Sequence, residues 1–166
     1  MNRLDVTLCD PAATERLGHF IADGLKAGDV VALEGPLGAG KSVLARAIIR
    51  HACPQESDVP SPTFTLVQTY EPAAEPSLMH FDLYRLGSPE DALELGIEDA
   101  FIDSICLIEW ARRLGPYLPR TALNISIQPD PEASDTRVIS LAGGARWQPL
   151  LAVIEAGIDT GMKGGS

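Results

Sequence analysis

Cysteine is scarce. Cys9, Cys53 and Cys106 are the three in 166 residues, odd in number and far apart, with no C-x-x-C pair. That argues against a disulfide framework or a zinc site and fits a reducing compartment. Positive charge is also short: 13 Lys plus Arg stand against 23 Asp plus Glu, a formal net charge of -10. Gripping a nucleic-acid backbone draws on Lys and Arg to release counterions, so this balance speaks against that as the main task. It leaves room for a nucleotide, which needs one local electropositive pocket. No apolar run approaches the roughly 18–20 residues of a membrane span. The start, Met1-Asn2-Arg3-Leu4-Asp5, lacks the apolar stretch of a signal peptide, so a cytoplasmic location is expected. What is present is a hydrophobic content of 45%, enough to close a core, in a length that suits one domain.

Residues 4–8 alternate apolar and polar and predict a half-buried strand. Asp10 before Pro11 supplies an N-cap acceptor and a first helical residue with no N–H to leave unpaired. Leu17, Phe20, Ile21 and Leu25 follow at helical spacing, and Gly28 after Lys26 closes that helix. Residues 29–33 are a compact apolar run, long enough for a buried strand and too short for a helix. A glycine-rich turn follows, then a helix over 41–51. Residues 53–62 form a loop, 63–70 a strand, 71–77 a second loop and 78–84 another strand. Ser88-Pro89-Glu90-Asp91 has the form of a capped helix start. Residues 105–108 are a second compact apolar run, expected as a central strand. Segments 122–128 and 137–142 alternate on either side of a polar turn and predict a C-terminal antiparallel pair. Residues 147–156 read as a last helix. A domain over 1–156 and a Gly-rich, fraying tail over 157–166 are expected.

The turn after the first apolar run is Gly35-Pro36-Leu37-Gly38-Ala39-Gly40-Lys41-Ser42, which matches G-x-x-x-x-G-K-[ST]. Glycines let backbone N–H groups turn toward one centre and let phosphate oxygens approach without interference from Cβ. Lys41 is placed to reach the β- and γ-phosphates and Ser42 to offer its hydroxyl to Mg2+, while the following helix presents its positive end. Gly35, Gly38, Ala39, Gly40, Lys41, Ser42 and Val43 are the candidate nucleotide-binding residues. Strand, glycine loop, helix is also the opening of a nucleotide-binding βαβ unit.

Hydrolysis needs metal ligands and a group to place water. Asp82 ends one predicted strand, where a Walker-B-type aspartate would sit, and Glu109 ends another. In an open parallel sheet the C-terminal strand ends share a rim with the phosphate loop, so both carboxylates can converge on one metal. The candidate metal ligands are Ser42, Glu109 and Asp82; the candidate catalytic residues are Glu109, Asp82, Lys41 and Thr63. Thr63, in Ser61-Pro62-Thr63-Phe64, follows a long loop in the manner of a switch segment. His80 reads as a packed or hydrogen-bonded strand residue and Trp110 as a core aromatic. Arg85 serves equally well facing phosphate or neutralising a carboxylate.

The set formed by the phosphate loop, Ser61-Pro62-Thr63-Phe64, His80-Phe81-Asp82-Leu83-Tyr84-Arg85-Leu86 and Ile108-Glu109-Trp110, in this order, resembles the bacterial TsaE (YjeE) family of small P-loop ATPases. The resemblance spans about residues 5–142. It implies an α/β fold: a single P-loop NTPase-like domain with a mixed, mostly parallel sheet flanked by helices. It also implies binding and hydrolysis of ATP, with ADP as product and Mg2+ as cofactor, in tRNA threonylcarbamoyladenosine biosynthesis. TsaD-like and TsaB-like proteins are the implied partners, carrying the transfer chemistry and most of the tRNA contact. The TsaE-like subunit would use ATP to reset them between turnovers. The resemblance places Lys41 at the phosphates, Ser42 and Glu109 near Mg2+, Thr63 in the switch-like segment and Asp82 as the Walker-B-like acid. Three departures stand out: Pro36 replaces a usual Asp, Val43 a common Thr, and Arg112-Arg113 follow where the family often carries another acid.

Two other functions share these motifs. A P-loop kinase for a small metabolite would ordinarily bring an arginine-rich lid, which Arg112, Arg113 and Arg120 do not obviously form; a non-catalytic nucleotide-binding partner would leave Glu109 structural. A GTPase lacks support, since no N-K-x-D motif occurs. Glu109 either holds Mg2+ or orients the attacking water, and Arg137 or the first helix is available to line a base pocket.

Overall fold

The computed structural model describes residues 2–56, 58–60, 62 and 66–157. In chain order these form β1 (Asn2–Leu8), α1 (Pro11–Asp23), β2 (Val30–Glu34), α2 (Lys41–Ala52), β3 (Val67–Tyr70) and β4 (Leu78–Asp82). They continue through α3 (Ile97–Asp103), β5 (Ile105–Glu109), β6 (Leu123–Asp130), β7 (Ala133–Gly143) and α4 (Gln148–Gly157). Short 3-10 helices occupy Pro89–Leu95, Ala111–Tyr117 and Ala145–Trp147. The strands make one mixed sheet in the order β1-β7-β6-β2-β5-β4-β3.

Burial explains the order. The two compact apolar runs, β2 and β5, lie side by side at the centre, because only a strand covered on both faces can be apolar at consecutive positions. β2 pairs in parallel with β5 and β6, and β4 in parallel with β5. The outer pairings, β3–β4, β6–β7 and β1–β7, are antiparallel. The expected mixed α/β sheet is therefore present, with its parallel part confined to the middle, and the C-terminal pair is continuous with it.

Alternation along the central strands divides the core between two faces. Val31 and Leu33 join Leu17, Ile21, Leu44 and Ile48 under α1 and α2, a cluster that α4 completes with Leu150, Leu151 and Ile154. Val30 and Ala32 face the other way, toward Phe81, Ile97, Ala100 and Leu114. Each fully buried Leu or Ile contributes about 1.5–3 kcal/mol, so both faces hold β2 and β5 in place.

The first helix begins as expected: the Asp10 carboxylate accepts the Ala13 N–H at 2.8 Å. It ends at Asp23 with Gly24 as its cap, short of the predicted Gly28. The Asp29 carboxylate accepts the Lys26 N–H at 2.7 Å and turns the chain into β2 instead. The capping box at Ser88 is present but opens a 3-10 helix, and α3 follows it without having been predicted. β4 stops at Asp82, where the Asp82 carboxylate accepts the Tyr84 N–H at 3.1 Å and forms a turn. The strand expected over 63–70 is described from Val67; Thr63, Phe64 and Thr65 lie outside the described residues, as does the tail beyond Gly157.

Candidate phosphate-binding site

The parallel centre of the sheet sets the positions of the chemistry-bearing side chains. β2, β4 and β5 all end at the same rim, with Leu33 opposite Glu109 and Asp82 opposite Glu109 in register. The glycine loop leaves β2 at this rim and enters α2 at Lys41. A cleft of about 410 Å³ opens here, lined by Gly38, Gly40, Lys41, Ser42 and Val43 from the loop and helix. Asp82 and Glu109 supply its carboxylates, and Tyr84, Trp110, Leu37 and Arg85 complete the walls.

Loop geometry depends on Gly35, whose φ of +151° is one that L side chains rarely adopt. A Cβ there would run into the Ile127 carbonyl oxygen of β6, so the loop lies directly against that strand. Gly35 itself lines a neighbouring cleft, with Pro36, Trp110, Arg112 and Arg113. Ala39 is fully buried. Its N–H donates to the Pro36 carbonyl at 3.1 Å, and its carbonyl accepts from Arg137 Nε of β7 at 2.8 Å.

Lys41 is 5% exposed. Its ammonium donates to the carbonyl oxygens of Gly35 at 2.5 Å and Pro36 at 2.9 Å. The same Nζ lies 4.4 Å from the Trp110 ring centroid, a cation–π contact. Burial lowers the amine's pKa, while the charges of Glu109, Glu34 and Asp82 pull it back up. Pro36, one of the departures from the family pattern, thus contributes the group that a proline retains, its carbonyl.

Ser42 and Glu109 meet: Ser42 Oγ donates to Glu109 Oε1 at 2.9 Å. The other carboxylate oxygen, Oε2, lies 2.7 Å from His80 Nε2. Glu109 is 2% exposed, His80 is fully buried, and Asp82 is 6% exposed. Ser42, Glu109 and Asp82 form an all-oxygen donor set, which suits a hard cation such as Mg2+ over softer metals. Among the described residues no group of three or more His, Cys, Asp or Glu side chains is arranged to hold a metal alone.

The structure therefore brings Lys41, Ser42, Asp82 and Glu109 together around one cleft and places Val43 at its edge; Thr63 lies outside the described residues. Trp110 packs against the core beside β5, as expected of an aromatic there, but it also lines the cleft. It is half-buried, adopts the left-handed conformation at φ 60° and ψ 43°, and stands between Lys41 and Tyr84. Its position follows from the chain reversal just after β5, which residue type does not reveal. Arg112 occupies the site of the missing acid differently: its N–H donates to Glu34 Oε1 at 2.7 Å. A second, smaller cleft of about 110 Å³ lies behind the loop between α1 and β7. It shares Gly40 and Val43 with the first, and Pro11, Thr14, Asp135 and Arg137 line it.

Over residues 8–139 the chain matches the protein family described as "Threonylcarbamoyl adenosine biosynthesis protein TsaE". It is 40% identical over 115 residues to the tRNA threonylcarbamoyladenosine biosynthesis protein TsaE of Rickettsia felis, covering 69% of this chain and 67% of that one. The protein of the same description from Nostoc sp. is 39% identical over 134 residues, 78% of this chain and 80% of its own. Among solved structures, the crystal structure of Bacillus subtilis YdiB superposes with a TM-score of 0.76 at 28% identity, covering 93% of this chain and 95% of that one. The matched span contains every residue of the cleft.

Proposed function

The chain belongs to the TsaE family of threonylcarbamoyl adenosine biosynthesis proteins, and on that premise we propose that it is the Mg2+-dependent ATPase of this tRNA modification system. Its role in tRNA threonylcarbamoyladenosine biosynthesis follows from the family. Membership does not favour the small-metabolite kinase. The observation that carries the ATPase reading is the Ser42–Glu109 contact. It joins the hydroxyl of the phosphate loop to a carboxylate from another strand end, where a phosphate-bound cation needs both.

In this reading Lys41 leaves the Gly35 and Pro36 carbonyls to contact the β- and γ-phosphates of ATP, assisted by the N-terminal end of α2. Ser42 with Glu109 and Asp82 would hold Mg2+, which when bound supplies charge stabilisation to the transferring phosphoryl group. Glu109 is suited to that task or to orienting the attacking water, and Thr63 is proposed as a switch residue. Trp110 and Tyr84 narrow the cleft and limit water, which strengthens each charge interaction inside it. The small cleft behind the loop is a fitting place for adenine: Pro11, Ile127 and Ile139 give it apolar walls, and Thr14 and Asp135 polar edges.

The partners proposed are TsaB-like and TsaD-like proteins, reset by ATP turnover. With a net charge of -10, this chain is poorly suited to hold tRNA itself, and its partners would carry most of that contact. No described helix is long and apolar enough to cross a membrane; a cytoplasmic location is proposed to match the tRNA substrate. The test is phosphate release from ATP by the protein alone and with these partners. Strong stimulation is expected, Lys41→Ala should lose nucleotide binding, and Glu109→Gln should bind ATP without turning it over. Unchanged turnover in Glu109→Gln, or phosphate appearing on a small acceptor, would overturn the proposal.

A further inference from the structure

We propose that His80 is a positioning residue for Glu109, holding one carboxylate oxygen so that the other faces Ser42 and the cation. This rests on the role given to Glu109 above. The terminal torsion of a glutamate is broad and two-fold, so backbone geometry does not decide which way a strand-end carboxylate faces; its hydrogen-bond partners do. Here the two oxygens have separate partners, Ser42 Oγ at 2.9 Å and His80 Nε2 at 2.7 Å. With His80 fully buried and Glu109 2% exposed, bulk water has almost no access with which to replace the histidine. A carboxylate in its ionised form only accepts, so Nε2 carries the proton of this bond. Nδ1 is buried and has no partner among the described residues. Among the described residues, Glu109 is thus the one hydrogen-bond partner that anchors the ring.

The strand pattern explains how the histidine reaches its partner. Side chains two apart on a strand share a face, so His80 sits one step behind Asp82 on β4. In the parallel pairing with β5, Asp82 is level with Glu109 and His80 with Leu107. His80 therefore reaches forward to Glu109 from the interior while Asp82 stands at the rim. One alternating pair on one strand would then do two jobs: Asp82 faces the cleft, and His80 aims its neighbour strand's carboxylate into it.

The test uses the full chain with a fluorescent ADP analogue, titrated in Mg2+ and in EDTA, alongside ATP turnover with the partners. Outer-shell partners of metal ligands typically matter ten- to hundredfold. His80→Leu should accordingly lose about tenfold or more of the Mg2+-dependent gain in affinity and of kcat, keeping affinity in EDTA within about twofold. His80→Gln, whose amide N–H can replace Nε2–H, should recover most of both. In a Glu109→Gln background, adding His80→Leu should change neither. Equal losses with and without Mg2+, or a glutamine variant no better than leucine when both melt at the same temperature, would overturn the proposal. If the wild type shows no Mg2+-dependent gain, it is the metal role of Glu109 that fails. Positioning is then decided by the ring 15N spectrum of His80: an Nε2–H tautomer that changes in Glu109→Gln supports it, and one indifferent to that substitution overturns it.

Discussion

Replacing Gly35 by alanine should destabilise the fold out of proportion to one added methyl group. Two terms contribute. The backbone at φ +151° is strained for any L side chain, at about 1–3 kcal/mol. The new Cβ would also collide with the Ile127 carbonyl oxygen and approach Ala39 Cβ at 3.3 Å. That carbonyl belongs to β6, held between β2 and β7, so it cannot withdraw cheaply, and overpacking of this kind costs about 1–3 kcal/mol. The sum is about 2–6 kcal/mol, and at roughly 2–4 °C per kcal/mol for a chain of this size the melting temperature should fall by about 4–24 °C. Gly38 isolates the backbone term: its φ is +78°, and a Cβ there meets nothing within 4 Å. Gly38→Ala should lose only about 2–8 °C. The assay is thermal melting followed by circular dichroism, at one concentration and without nucleotide. A Gly35→Ala protein melting within about 3 °C of wild type, or a Gly38→Ala protein falling as far as Gly35→Ala, would refute the steric reasoning.

Three further outcomes follow from the same geometry. Arg137→Met removes the donor to the Ala39 carbonyl and should weaken ADP binding roughly tenfold, the scale of one charge-assisted hydrogen bond; unchanged affinity by calorimetry would separate β7 from the phosphate loop. Burial holds the Lys41 ammonium below its ordinary 10.5, so the unfolded chain binds more protons in the window beneath that value and stability rises with pH there. Relative to Lys41→Met, wild type should gain stability in urea titrations as pH climbs from neutral toward 10.5, and a flat or reversed difference counts against the buried ammonium. In the folded protein a thiol reagent should modify exposed Cys9 quickly. Cys53 and Cys106 should react only on unfolding, since both are buried and the Cys106 thiol is pushed up to about 12. Fast reaction of more than one thiol would contradict the burial of Cys53 at the end of α2 or of Cys106 in β5.

The parts of the site legible in the sequence are those fixed by local pattern. The glycine loop needs its residue types at set spacing, and the runs that became β2 and β5 are apolar at consecutive positions because both faces are covered. Strand ends then place Asp82 and Glu109 near the loop. Contacts that depend on strand order were not legible in this way. Arg137 reaches Ala39 because β7 and β6 follow β2 in the sheet, and the alternation of His80 with Asp82 shows a shared face without showing that Glu109 lies across from it. α3 escaped because seven residues with Ile97 and Ala100 buried carry too little periodicity. Leu25 keeps the spacing of the first helix in the sequence, while Gly24 and the Asp29 carboxylate end the helix before it.

Trp110 has a bearing on how this protein can change. Its left-handed backbone is one that glycine adopts freely and that a bulky aromatic residue adopts at a cost of about 1–2 kcal/mol. The backbone alone therefore favours glycine or asparagine there, and what retains the indole is its packing on the core beside β5 and its place over Lys41 and against Tyr84. Glycine here would relieve the backbone but lose both the packing on the core and the contact over Lys41, so such variants should bind nucleotide less well without melting higher. At this one residue a strained backbone is held in place by core packing and cleft contacts together, so the indole ties the site to the body of the fold.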